Sequence, residues 1–226
     1  YAETKGPSDV VDGADAGRKV AILASLALGK QVHTQNIPTR GIRGLEPFDL
    51  RAAARLGCAV KLIAWARQTE SGPAVGVEPM LVPLENQLAG VEDVFNGVLV
   101  RGDMVGDVFF YGRGAGKLPT ASAIVADLAL AAQQGAAVHD SIFWEPSPAL
   151  PAPLTSGERA TYYVRVKGLA ASMLPGLYGP GELVAEDGGQ AAYLVENITP
   201  KKLYEAARQV KALGGSVQME LRRLEQ

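Results

Sequence analysis

Cysteine is almost missing from this sequence. Cys58 stands alone in 226 residues, so no internal disulfide can form, and a reducing, cytoplasmic compartment fits best. Histidine is nearly as scarce: His33 and His139 lie far apart, which argues against a histidine-built metal site. No apolar run approaches the roughly 20 residues of a membrane span, and the opening residues do not read as a signal peptide. An excess of one charge is lacking too. With 22 basic and 24 acidic residues the formal charge is −2, so electrostatics gives no reason to expect nucleic acid or an anionic membrane as partner. The chain also lacks an initiating methionine. Tyr1 opens it inside what reads as a loop, and the expectation is that the polypeptide continues upstream.

What is present is 47% hydrophobic and 20% charged, an ordinary globular composition with room for one large or two small domains. The stretch around which the rest is organised is Asp12-Gly13-Ala14-Asp15-Ala16-Gly17-Arg18-Lys19, running into Val20-Ala21-Ile22-Leu23-Ala24. It reads as a helix from about Asp15 to Leu28, stopped by Gly29. It is apolar almost all round, which predicts a core helix. Asp15 and Lys19 are four apart and therefore share one face. Two readings follow: an N-terminal acid with a surface ion pair, or a lysine held in a pocket by a carboxylate and ready to move a proton.

Glu46-Pro47-Phe48-Asp49 opens a second helix that ends near Gly57. Strands follow at Cys58–Ala66, Val75–Val82, Asp93–Arg101 and Asp107–Tyr111. Lys61 interrupts the first and belongs on its solvated face. Hairpin-like connections between the four predict a mixed or largely antiparallel sheet with helices on one face, within an α/β (α+β) class.

The fourth strand runs into Gly112-Arg113-Gly114-Ala115-Gly116-Lys117 and a helix to about Gln134. Such a turn cradles phosphate or simply packs a helix close to a sheet. A dinucleotide fingerprint would need glycine at Lys117, and a P-loop would need Ser or Thr at Leu118. Residues 144–158 are a proline-rich linker dividing a first domain, 1–143, from a second, 159–226. The second has the order β, short α, β, β, α, β of a ferredoxin-like unit.

Three blocks resemble the catalytic and dimerisation region of the homoserine dehydrogenase family. They are Gly13 through Leu23, Gly41-Ile42-Arg43-Gly44, and Phe110 through Gly116 with Pro119-Thr120-Ala121-Ser122-Ala123, in the family's order and spacing over Tyr1 to about Gln134. The resemblance implies NAD- or NADP-dependent interconversion of L-aspartate 4-semialdehyde and L-homoserine, on the route to threonine and methionine. It puts Lys19 at the catalytic lysine, with Asp15 and Glu3 on carboxylates that bind the amino acid. Tyr1 falls at a substrate-side tyrosine, and Gly114 and Gly116 fall in the turn that touches the cofactor. A further family aspartate falls on Val10, with Asp9 beside it. In the family a Rossmann domain precedes these residues, and its glycine fingerprint does not occur here. The resemblance thus implies that this chain alone does not turn over.

The tail resembles an ACT domain, an amino-acid-sensing module, and implies a threonine effector. The usual Asp-Arg-Pro-Gly loop is replaced there by Gly168 through Gly176. A homodimer is the expected assembly. The rival from another class is a non-catalytic amino-acid-binding regulatory protein.

Overall fold

The computed structural model describes residues 7–69, 72–137, 144–146 and 159–225. Tyr1, Glu3, His139 and most of the proline-rich stretch lie outside them.

A one-turn helix, α1 (Pro7–Val11), turns through Gly13 (φ 85°) into α2 (Ala14–Leu28). Gly29 ends α2 in the left-handed region, as its position after the last apolar residue foretells. Next, α3 (Pro47–Arg55) starts with proline in its first turn and a capping box between Glu46 and Asp49. Strands β1 (Cys58–Thr69) and β2 (Gly72–Pro83) form an antiparallel hairpin, with Cys58 opposite Pro83. A second hairpin, β3 (Phe95–Gly102) with β4 (Gly106–Arg113), leads into α4 (Lys117–Gln134). The C-terminal part is β5 (Ala160–Lys167), α5 (Leu174–Tyr178), β6 (Gly181–Asp187), β7 (Gln190–Ile198), α6 (Pro200–Ala212) and β8 (Ser216–Arg223).

These strands make two sheets, not the single four-stranded one expected for the first part. Six strands run in the order β1-β2-β8-β5-β7-β6, and β3-β4 stand apart. Within the larger sheet, β8-β5-β7-β6 is antiparallel throughout, the arrangement of a ferredoxin-like unit. One parallel contact joins the halves, Met80 opposite Arg222 and Leu81 opposite Arg223. Beyond it, the Leu224 N–H donates to the Leu81 carbonyl at 2.8 Å.

The core is shared in the same way. Phe48, Ala52 and Ala53 of α3 pack with Leu81 of β2, Tyr163 of β5, Leu194 of β7 and Leu221 of β8. Val164 and Val166, of opposite parity on β5, pack with Leu203, Ala206 and Val210 of α6. Thus α3, from the N-terminal half, covers the sheet face that α5 and α6 leave open.

The first helix departs from its expected burial. Val20, Ala21 and Ala24 of α2 pack on Val75 and Val77 of β2, but Ile22, Leu23 and Leu26 stand 57, 48 and 42% exposed. One sheet face can cover only one stripe of a helix. Lys61 is likewise not left to solvent: its Nζ donates to the Val91 carbonyl at 2.7 Å and ties β1 to the segment before β3.

Candidate active site

The residues around α2 are held by unusually close backbone approaches. Gly13 and Gly41 are two positions beside α2 where glycine is required. Gly13 has positive φ, and a Cβ there would press on Thr39 and Val77. A Cβ on Gly41 would collide with the Val11 carbonyl and the Asp12 backbone. That contact brings the first two sequence blocks together. The Ile42 N–H donates to the Val11 carbonyl at 2.8 Å, and the Arg43 guanidinium forks onto Asp12 at 2.9 and 2.8 Å. Gly17 is buried one turn into α2, its N–H bonded to the Gly13 carbonyl at 2.9 Å.

On this anchored helix Lys19 Nζ lies 2.7 Å from Asp15 Oδ2, the pairing that the spacing foretells. Their side chains are 63 and 40% exposed, so the pair faces outward and no wall of the described residues encloses it. Arg18, on the neighbouring position, donates to Asp9 at 2.8 Å. Asp9 therefore faces Arg18, while Asp15 faces Lys19.

The third block lies on the separate arm. The Gly114 N–H donates to the Val94 carbonyl at 3.1 Å, and a Cβ on Gly114 would strike the Asn96 amide. Gly116 caps α4 with φ 118°, and no side chain caps that helix start. Among the described residues neither glycine is hydrogen-bonded to α2.

A buried polar cluster was missed by sequence reasoning. Asp49 and Arg165 are 0 and 2% exposed. Asp49 Oδ1 accepts from the Tyr163 hydroxyl at 2.7 Å and from Arg165 Nε at 2.9 Å, while its Oδ2 accepts from the Glu46 N–H at 2.9 Å. Arg165 also pairs with Glu46 at 2.8 Å and donates to Gln190 Oε1 and the Gly44 carbonyl, each at 3.1 Å. Burial alone would lower the Arg165 guanidinium, but its bonds to Glu46 and Asp49 outweigh this and raise it. Burial, aided by Asp49, pushes the Tyr163 phenol far up. Both groups keep their protons across all ordinary pH, which marks a structural knot. In sequence Asp49 is an ordinary helix-start acid and Arg165 an ordinary outward position on a strand. Nothing local announces that they meet.

Among the described residues no group of three or more His, Cys, Asp or Glu side chains is placed to hold a metal. No helix there is long and apolar enough to cross a membrane. Burial raises the Cys58 thiol above its ordinary range, against a nucleophilic role.

The sequence model of homoserine dehydrogenase matches residues 1–129, more than half of the chain. The chain belongs to the homoserine dehydrogenase family. It is 46% identical over 132 residues to the homoserine dehydrogenase of Synechocystis, a match covering 57% of this chain and 30% of that protein. To the Pseudomonas aeruginosa enzyme it is 44% identical over 128 residues, 57% of this chain and 29% of that one. The crystal structure of a homoserine dehydrogenase from Thiobacillus denitrificans superposes with a TM-score of 0.85 at 30% identity, over 100% of this chain and 56% of that one. The homoserine dehydrogenase of S. aureus gives 0.75 at 27% identity, over 100% and 55%. The chain therefore spans about half the length of those solved homoserine dehydrogenases, and its C-terminal module is part of what superposes.

Proposed function

We propose that this chain supplies the catalytic portion of a homoserine dehydrogenase, interconverting L-aspartate 4-semialdehyde and L-homoserine in a cytoplasmic route to threonine and methionine. The observation that carries this is the Lys19–Asp15 pair on an anchored helix in the family's first sequence block. Lys19 moves the proton. As the aldehyde carbon becomes an alcohol its oxygen gathers negative charge, and the Lys19 ammonium polarises that oxygen and then protonates it. In the reverse direction the amine takes the hydroxyl proton back. Asp15 holds the substrate's α-ammonium together with Glu3, and Tyr1 stands on the substrate side.

The hydride is the business of NAD or NADP when bound. The start of α4 suits its phosphates: Gly116 takes a conformation open to glycine and disfavoured by side chains, and no side-chain hydrogen bond caps that helix start. Gly114 and Gly116 are the residues assigned to that contact. The outward-facing Lys19 pair fits a site whose other wall is the nucleotide-binding portion that the family carries ahead of these residues. Exposed apolar side chains on β4 and α4, Phe110, Ile124, Val125 and Leu128 among them, fit a homodimer or that portion. The C-terminal module is assigned as ACT-like, with threonine as its candidate effector.

The test is L-homoserine-dependent reduction of NAD or NADP by the full-length enzyme, beside the 226-residue chain alone. Turnover by the first and none by the second is expected. A full-length protein that binds homoserine or threonine but never reduces the nucleotide would favour the non-catalytic regulatory reading. Turnover by the short chain would show that it needs no further domain.

A further inference from the structure

Residues 40–44 are held by three parts of the protein at once. In the middle, Ile42 and Arg43 grip the turn just before α2, through the Val11 carbonyl and the Asp12 carboxylate. At one end, Arg40 reaches Glu78 of β2 at 3.3 Å and Glu220 of β8 at 3.8 Å. At the other, the Gly44 carbonyl accepts from Arg165 of β5, and the Met219 side chain of β8 lies 3.2 Å from where a Gly44 Cβ would stand.

We infer that Arg43 and Arg165 are positioning residues: acting through this loop, they set where the first turn of α2 stands and so where Asp15 and Lys19 point. The inference rests on the catalytic reading of Lys19 given above. The two arginines act in series. Arg165 is fixed in the core by Asp49, Glu46 and Gln190, and passes that rigidity to Gly44. Arg43, two-thirds exposed, passes it to Asp12. The planar guanidinium fork suits this task, since two parallel bonds fix direction as well as distance. A shift of β5 against β2 is thereby passed to the start of α2, because the Gly41 backbone lies directly against Val11 and Asp12 with no room for a side chain between them. The C-terminal module therefore has a mechanical hold on the proposed proton-transfer pair, although no hydrogen bond or ion pair joins it to Lys19 among the described residues.

The experiment is amide hydrogen exchange in the 226-residue protein, read at Gly17, whose N–H closes the first turn of α2. Arg43→Gln should speed that exchange about two- to fivefold, the range an exposed ion pair allows. Arg43→Asp alone should do at least as much, and Arg43→Asp with Asp12→Arg should restore the slow rate. Arg165→Lys should speed the same amide, and adding Arg43→Gln should bring no further gain, as expected of links in one chain. Should Arg165→Lys fail to fold, Gln190→Met, which releases a single Arg165 nitrogen, takes its place.

An unchanged Gly17 rate in Arg43→Gln, or accelerations that multiply as independent effects do, would overturn the inference. In the full-length enzyme, Arg43→Gln should lower kcat with little change in the KM for L-homoserine, and Arg43→Lys should recover part of it. Faster exchange with an unaltered kcat, where Lys19→Ala is inactive, would overturn the positioning role. If Lys19→Ala is itself active, the catalytic reading has failed instead.

Discussion

The six-stranded sheet and the β3–β4–α4 arm are built from similarly apolar residues and end in opposite states. In the sheet Leu81, Val164 and Leu221 are fully buried, and the far more polar α6 still buries Leu203, Ala206 and Val210. On the arm, α4 buries no residue over its 18 positions, and Leu118 and Leu128 stand 83 and 64% exposed. The difference lies in what each helix has to pack on. Every helix on the sheet finds a face from another part of the chain, whereas the face that would cover α4 is not among the described residues. Apolar content thus tells that a helix will be covered, and not by what.

The largest test of this contrast is Asp49→Ala. It leaves a buried guanidinium and a buried phenol without their shared acceptor, and should cost about 3–5 kcal/mol in urea denaturation. The loss should spread to both halves of the sheet in one transition. Separate melting of the two halves would break the claim that they form one unit. Next comes a matched pair of truncations. Leu221→Ala should cost about 2–5 kcal/mol, because the site is closed on all sides. Leu128→Ala should stay within about 0.5 kcal/mol at concentrations where the 226-residue chain is monomeric. Equal costs under those conditions would mean that α4 is packed within the single chain.

A smaller effect is expected for Arg101→Ala. It removes the exposed Arg101–Asp107 bridge across the β3–β4 hairpin, 2.7 Å long, and should cost less than about 1 kcal/mol.

The smallest contrast concerns pH. Burial raises the Glu220 carboxyl above its ordinary range, and Arg40 only partly opposes this. A carboxyl raised by folding adds stability below its unfolded pKa and loses it as pH rises through the folded value. Glu220→Gln should therefore gain on the wild-type Tm as pH climbs through that window and converge with it below. A gap that widens on acidification would reverse the sign and show that Arg40 dominates.

Much of this was legible in the sequence. Gly29 announced the end of α2, Pro47 the start of α3, and Asp187-Gly188-Gly189 the turn of the last hairpin; local chemistry decides such features. The spacing of Asp15 and Lys19 foretold their contact, because four residues on a helix fix the geometry. The joining of β2 to β8 was not legible. It pairs residues some 140 positions apart with no turn to signal it. The meeting of Asp49 with Arg165 was hidden for the same reason, and so was the exposed side of α2, since only the sheet decides which stripe it covers.

The measurement closest to the central claim is steady-state oxidation of L-homoserine by the full-length enzyme with Lys19→Ala. If Lys19 carries the proton, kcat falls by about 10²–10⁴ while the KM for L-homoserine changes only a few-fold. A kcat that survives the substitution would leave Lys19 as no more than the ion-pair partner of Asp15.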